Sequence, residues 1–339
     1  MRVEPSLGLC GLLLGCAVNI GHSDDGASKP SSDAPQLHGC LPLADRATSV
    51  NGRVSRLDLP DQSSLVLATS ATIDGVTSSM GFADAQPDCL SASTPLSARP
   101  IIDVSALGLA TVALPLAAVG GSETFLYFSA QHRDGFTSDG IGVARWDAEN
   151  QRFDPLALLW TADRPSYGSA AAQVGDQVYV LGGLPARFLS ADIYLARVSS
   201  DAIAEPSAYE YWQGGGNFGP DADSALPLVE GGSAPSLAFN AARQRFILLY
   251  ATPFAKEITV RSGLAISGPW SAPYVLGQCD LPSRDPSSFC GDLTLLPEFG
   301  DDGEIAFTQG VASFTRPAAS TAQDSWTRLV RAPWPDSLP

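Results

Sequence analysis

A unit of three short strands recurs along the chain and limits the folds that are open to it. Its clearest copy reads YGSAAAQVGDQVYVLGGLPARFLSADIYLARVSS and begins at Tyr167. The pattern predicts three strands, over Gly168–Gln173, Gln177–Leu181 and Asp192–Val198. Gly175 and Asp176 predict the first turn, because glycine adopts positive φ readily and aspartate hydrogen-bonds its own backbone.

Sequences of the same form occur at three other places, at a spacing typical of propeller blades. The copies are Leu114–Ala130 with Gly140–Asp147, Ser233–Ala251 with Glu257–Ile266, and Cys290–Gly310 with Ser325–Trp334. Val50–Ile73 also alternates between apolar and polar residues, and we expect it to supply the first blade and a strand that closes the ring. One such sheet cannot bury both of its faces alone, whereas a ring of sheets can, so the repeat favours a β-propeller. A β-sandwich of similar short strands is the alternative.

The composition suits a turn-rich β protein. The 339 residues include 32 glycines and 26 prolines, and only 17% are charged, which is typical of short strands joined by many turns. The net charge is −16. Because binding to a phosphate backbone needs clustered Lys and Arg, we expect no nucleic-acid partner.

The first residues have the form of an export signal. Arg2 precedes an apolar run, Leu7–Leu14, that is too short to span a bilayer. The run ends in Gly15 and Cys16, which resembles a bacterial lipobox with Cys16 as the lipidated residue; ordinary secretion is the alternative. Ala17 rather than aspartate follows, which implies the outer membrane, facing the periplasm or the cell surface. We therefore expect three parts: a signal peptide (1–15), a flexible polar tether (16–39) and one propeller domain (40–339).

The remaining cysteines fit an exported protein. Apart from Cys10 and Cys16, the chain has four cysteines, and an even number in an exported chain indicates disulfides. Proximity favours Cys279 with Cys290, which leaves Cys40 with Cys89. Metal binding is the alternative, but the chain has no C-x-x-C pair among these cysteines. We expect neither a metal nor a cofactor.

Several segments resemble one known family. They read GIGVARWDAENQRFDP, YGSAAAQVGDQVYVLGG, IYLARVSSDAIAEPSAYEYWQGG, SLAFNAARQRFILLYA and RSGLAISGPWSAPYVL, and in this order they are similar to bacterial exported proteins that carry the domain of unknown function 4185. The resemblance covers roughly residues 114 to 310 of this chain and implies a five-bladed propeller related to furanosidase-type glycoside hydrolases. The predicted fold class is therefore all-β, a five-bladed β-propeller. The activity follows much less directly, because fold does not determine function.

Candidate site residues come from positions at or before the starts of the predicted innermost strands, where the blades converge on a central funnel. Glycoside hydrolysis needs two carboxyl groups flanking the scissile bond, and the candidate acids are Asp74, Glu230 and Asp292. None of these acids stands in a motif that matches the catalytic residues of the hydrolases. The candidate carbohydrate contacts are Tyr167, Ser169 and Trp212, of which Trp212 stands in an aromatic segment that also suits packing between blades.

Two classes of function remain open at this stage. The first is a surface protein that binds or processes a carbohydrate in the funnel, as a glycoside hydrolase if it is an enzyme. The second is a non-catalytic scaffold or adhesion module that binds another protein, which would need a broad apolar patch on the rim. In either case we expect a monomer attached to the membrane through its N-terminal lipid.

Overall fold

The computed structural model describes most of the chain from the first predicted blade to the C-terminus, together with one short upstream strand. The described residues are 38–40, 54–61, 63–72, 75–83, 92–96, 101–109, 111–132, 138–183, 192–252, 256–279, 281, 288–297, 300, 303–313 and 327–339. Short 3-10 helices occur within this part of the chain, at Val104–Leu107, Ser200–Ala202, Pro206–Ala208 and Ala222–Ser224.

The described strands form five antiparallel sheets, which we call blades 1 to 5. The first strand of the chain is β1 (His38–Cys40). Blade 1 contains β2 (Val54–Asp58), β3 (Ser64–Thr72), β4 (Gly75–Ala83) and β5 (Ala92–Leu96). Blade 2 contains β6 (Val112–Val119), β7 (Phe125–Gln131), β8 (Ser138–Asp147) and β9 (Arg152–Thr161).

Blade 3 carries an insertion in its fourth strand. Its strands are β10 (Ser166–Val174), β11 (Gln177–Gly183), β12 (Asp192–Ser199), β13 (Glu210–Trp212), β14 (Phe218–Gly219) and β15 (Pro227–Glu230). Both β13 and β15 pair with β12, one with each half of that strand. Together they occupy the position of the single fourth strand of the other blades.

The last two blades complete the set. Blade 4 contains β16 (Ser233–Asn240), β17 (Arg245–Ala251), β18 (Glu257–Gly263) and β19 (Tyr274–Gln278). Blade 5 contains β20 (Ser288–Leu295), β21 (Glu304–Ser313) and β22 (Thr327–Pro333). Its outermost strand is β1, which pairs antiparallel with β22.

The blades are arranged in a closed ring. The first strand of each blade contacts the first strand of the next blade, in the order β2, β6, β10, β16, β20 and back to β2. These five strands therefore surround a common axis. The prediction of a five-bladed β-propeller is confirmed, and the sandwich alternative is wrong.

Pairing of β1 with β22 joins the two ends of the described chain in one sheet. This pairing gives blade 5 its fourth strand and closes the ring. A closed ring presents fewer open sheet edges to other chains. The closing strand begins at His38, upstream of Val50–Ile73 and inside the segment predicted as tether.

The apolar core lies between neighbouring blades. Separate clusters of buried side chains join blades 1 and 2, blades 2 and 3, blades 3 and 4, and blades 4 and 5. Leu65, Phe128, Leu181 and Leu249 are each fully buried. A sheet buries both of its faces only when other sheets flank it on both sides. Repeated sheets in a closed ring meet this condition, which explains why the strand repeat leads to a propeller.

Candidate functional site

All the innermost strands begin at one end of the ring, which we call the entry face. Each blade has an antiparallel order with four strand positions. An even number of antiparallel strands returns the chain to the end from which it started, so the next blade starts there too. Residues before the innermost strands, between second and third strands, and after fourth strands therefore share this face.

Four innermost strands leave the regular ladder, and those of blades 3 and 4 do so within their first few residues at this end. The register with the second strand shifts between Pro115 and Ala118, Tyr167 and Ala170, Ser233 and Ser236, and Cys290 and Leu293. Such bulges re-aim side chains and are frequent beside active sites. In blade 3 the bulge requires Gly168, whose φ is +95° and whose added Cβ would lie 2.8 Å from Cβ of Tyr127.

Asp292 lies in the bulge of blade 5. It is half-buried, and it follows Cys290 by two residues. Cys290 forms a disulfide with Cys279, which directly follows the outermost strand of blade 4, and their Cα atoms are 5.8 Å apart. The predicted Cys279–Cys290 pair is confirmed. Cys290 is the last residue in regular register before the bulge that carries Asp292, so the disulfide holds the chain at the start of this bulge.

Glu230 lies at the end of β15 and is exposed. Its partner in the ladder is Asp192, whose Oδ1 accepts a hydrogen bond from the Gly231 amide at 3.2 Å. Two carboxylates therefore stand opposite each other at the entry face of blade 3. Like charges at this spacing repel each other.

Tyr167 is fully buried between blades 2 and 3. Its ring packs against Trp160 and Tyr211, with centroid separations of 5.1 and 5.5 Å. Burial raises the pKa of Tyr167 well above its usual value, and the neighbouring Tyr211 adds to the shift. Its hydroxyl has no hydrogen-bond partner in the described part of the chain.

Ser169 and Trp212 have different surroundings. Ser169 lies in the blade 3 bulge, and its hydroxyl donates to the Ser166 carbonyl at 3.1 Å. Trp212 lies on β13, far from the innermost strands in the sheet order, and its ring packs edge-on against Phe218 at 5.3 Å. The structure therefore places Ser169 at the bulge and Trp212 in packing between blades 3 and 4.

Buried polar groups without partners accumulate near the entry face. Among the described residues, the unpaired atoms there are Thr111 Oγ1, Gln131 Oε1, Tyr167 Oη and Ser288 Oγ, and both amide atoms of Gln309 are unpaired further inside blade 5, in the middle of β21. Thr111 precedes β6, Gln131 ends β7 and Ser288 begins β20. A buried polar atom without a partner costs about 1–3 kcal/mol, so this accumulation calls for an explanation.

Gln309 is as completely buried as Tyr167, at 0% exposure. It pairs with Leu293 directly after the bulge. The corresponding positions of blades 2, 3 and 4 hold Leu126, Leu181 and Leu249, all fully buried. Blade 5 thus carries an amide where the other three blades carry a leucine.

One pair of titratable residues at the entry face was not predicted from the sequence. His132 Nε2 lies 3.1 Å from Asp139 Oδ1, across the connection between β7 and β8 of blade 2. A histidine beside a carboxylate is a common acid–base pair. The signal available in the sequence was the position of both residues at strand ends of the same predicted blade.

The other predicted positions lie outside the described residues or lack a described partner. Asp74, Cys16 and Cys89 are not among the described residues, and Cys40 ends strand β1. In the described part of the chain, no group of three or more His, Cys, Asp or Glu side chains is placed to hold a metal ion. The helices described here include none with the length and apolar character needed to cross a membrane.

Comparison with known proteins identifies the family. Residues 128–317 match the family described as "Domain of unknown function (DUF4185)", which is more than half of the 339 residues. The chain belongs to the DUF4185 family. No protein of curated function matches this DUF4185 chain.

Solved structures share the fold of this DUF4185 protein at low sequence identity. The GH43_1 enzyme from Xanthomonas citri complexed with xylotriose is 15% identical, with a TM-score of 0.53, over 86% of this chain and 89% of the other. The α-L-arabinofuranosidase from Podospora anserina in complex with cellotriose is 11% identical, with a TM-score of 0.51, over 89% and 98% of the two chains. At these identities the likeness establishes the propeller fold.

Proposed function

We propose that this DUF4185 protein binds a carbohydrate at the entry face of its propeller and processes it there. The observation that carries the proposal is the set of buried, unpaired polar atoms at this face, together with Asp292 in the blade 5 bulge. The similar folds of a GH43_1 enzyme complexed with xylotriose and an arabinofuranosidase complexed with cellotriose support the choice of ligand class.

A hydroxyl-rich ligand suits these unpaired groups. The hydroxyls of Thr111 and Ser288 donate and accept, whereas the amide of Gln309 offers two donors and one acceptor. Sugar hydroxyls also donate and accept, so this ligand class suits both kinds of group. The expected affinity is modest, because each such bond replaces a bond to water.

Processing would require a pair of carboxyl groups across the bond to be cleaved. Asp292 is the first candidate because it is half-buried in a bulge of an innermost strand. Glu230 at the rim of blade 3 and Asp74, which precedes strand β4 in the sequence, are the proposed partners. The pair of His132 and Asp139 is a further candidate for proton transfer at the same face.

Substitution of Asp292 tests this proposal. We expect the purified protein to bind one or more oligosaccharides on a glycan array that includes xylotriose and cellotriose. We expect Asp292→Asn to weaken that binding or its turnover by about tenfold or more, since a hydrogen bond to a charged group contributes about 1.5–3 kcal/mol. Asp176→Asn is the matched control, because Asp176 is exposed in the turn at the opposite end of blade 3.

Tyr167→Phe supplies a second arm of the same experiment. Removal of its unpaired hydroxyl leaves the ring packing in place, so weaker binding without lost stability would indicate a ligand contact. If the wild type binds no glycan, the carbohydrate proposal is wrong and the scaffold or adhesion function becomes the better supported one. If binding survives both substitutions unchanged, the site lies elsewhere on the propeller.

We also propose that the protein is exported and lipid-anchored at Cys16 in the outer membrane. Support comes from the lipobox-like sequence before Cys16 and from the Cys279–Cys290 disulfide, since disulfides persist mainly in oxidising compartments. We expect Cys16→Ser to abolish labelling of the protein by palmitate and to release it from the membrane fraction. Cys10→Ser is the control. Equal labelling of the Cys16→Ser protein and the wild type would contradict the anchor.

A further inference from the structure

A cavity lies at the end of the ring opposite the entry face. Its volume is about 540 Å³, and it is lined by the turn after β2, the turn between β6 and β7, and the connection between β8 and β9. It therefore lies between blades 1 and 2. This volume is in the range of sites that hold a small molecule.

The lining carries more negative than positive charge. Its carboxylates are Asp61, Glu123, Asp147 and Asp154, and its one described cation is Arg145. Arg145 is paired with Glu123 at 3.3 Å, and Arg152, beside the cavity, is paired with Asp154 at 2.9 Å. Each of these pairs is neutral, so Asp61 and Asp147 are the excess negative charge of the lining. Asp147 also lies opposite Arg152 across the ladder and is attracted by its charge.

Both of these carboxylates are held in the charged form by hydrogen bonds. The hydroxyl of Ser63 lowers the pKa of Asp61, and the side-chain amide of Asn150 lowers the pKa of Asp147. Both carboxylates are consequently ionised at neutral pH. The cavity presents a lasting negative field that repels anions and attracts cations.

Two further side chains in the lining point to a ligand. Thr124 is buried, with 2% of its surface exposed, and its hydroxyl has no partner among the described residues. The ring of Trp146 contacts that of Phe153 in a tilted arrangement, with centroids 5.1 Å apart, and Trp146 remains partly exposed in the lining. An indole ring binds cations over its face, and an unpaired hydroxyl accepts a hydrogen bond from an ammonium group.

We propose that this cavity binds a small organic cation, namely an ammonium group with a short alkyl chain. The indole of Trp146 contacts the ammonium group and its neighbouring carbons, while Asp61 and Asp147 supply the negative field. The hydroxyl of Thr124 provides a hydrogen-bond acceptor in the lining. No lining residue of this cavity belongs to the entry face, so the site is independent of the proposed carbohydrate site.

Titration of the purified protein with spermidine and with tetramethylammonium tests the proposal. We expect binding of both cations by calorimetry and by a change in tryptophan fluorescence, with spermidine tighter, and weaker binding at high salt. Trp146→Leu keeps an apolar side chain against Phe153 and is expected to weaken binding by between about two- and thirtyfold. Asp61→Asn is expected to weaken it by about fivefold.

The control variant is Asp176→Asn, an exposed carboxylate at the same end of the ring in another blade. Unchanged affinity of this control supports the cavity, whereas equal losses in Asp176→Asn and Asp61→Asn would indicate a general charge effect and overturn the proposal. Absence of binding to the wild type at millimolar cation would also overturn it. Oligosaccharide binding at the entry face is measured separately, so failure of one site leaves the other untouched.

Discussion

Replacement of Cys279 and Cys290 by alanine is expected to lower the free energy of unfolding by about 3 kcal/mol. The disulfide closes a loop with a sequence separation of 11 residues. A cross-link over this separation lowers the conformational entropy of the unfolded chain, which stabilises the folded state by about 3 kcal/mol. Both cysteines are also buried in the core between blades 4 and 5, at 3% and 4% exposure. Denaturation in urea measures the loss.

The unfolded state provides a check on this explanation. Without the cross-link the unfolded chain exposes more surface, so the slope of the free energy against urea concentration should rise. Wild-type protein with its thiols reduced serves as the control and should lose the same stability as the double variant. A loss below about 1 kcal/mol would contradict this explanation, because it would mean that the bond constrains the unfolded chain much less than its loop length predicts.

Turn chemistry made the strands of this protein predictable from the sequence. Gly175 has a φ of +63° in the turn between β10 and β11. Tight turns of this kind need a residue with positive φ, and glycine adopts it without strain. The related segments WDAENQRF and FNAARQRF form equivalent turns. In them Asp147 and Asn240 accept backbone hydrogen bonds, and Gln151 and Gln244 have φ values of 50° and 53°. Local residues therefore decided where strands end.

The strand that closes the ring could not be found in the same way. Strand β1 has three residues, and it is ordered by pairing with β22 at the other end of the chain. Three residues carry no usable alternation. The split fourth strand of blade 3 was equally hidden, because β13 and β15 are each short and both depend on β12.

The side to which a predicted site residue points depends on the bulges. Tyr167 was placed correctly at the start of an innermost strand, yet its ring lies in the core between blades 2 and 3. A shift of one residue in register turns a side chain to the other face of a sheet. The bulge after Cys290 applies a shift of one residue, whereas the bulge after Tyr167 inserts two residues, and no local sequence signal predicts either of them.

The second large effect is expected from the buried tyrosines. The hydroxyl of Tyr209 lies 2.8 Å from the Ile203 carbonyl and 3.0 Å from the Tyr127 hydroxyl. A carbonyl only accepts, so Tyr209 donates to Ile203, and the proton between the two hydroxyls comes from Tyr127. Burial raises the pKa of both tyrosines, which keeps these protons in place at neutral pH.

Tyr209→Phe is therefore expected to cost about 2–5 kcal/mol of unfolding free energy, because it leaves two buried partners, the Tyr127 hydroxyl and the Ile203 carbonyl, unpaired. Tyr127→Phe should cost only about 1 kcal/mol, since Tyr209 still donates to Ile203. Tyr167→Phe is the matched control: its hydroxyl is unpaired, so its removal should cost nothing measurable. Equal losses for Tyr127→Phe and Tyr209→Phe in urea denaturation would contradict this direction of the hydrogen bonds. Unchanged stability of Tyr167→Phe would show that folding does not need this hydroxyl, so weaker glycan binding by the same variant would then report a ligand contact and not a structural one.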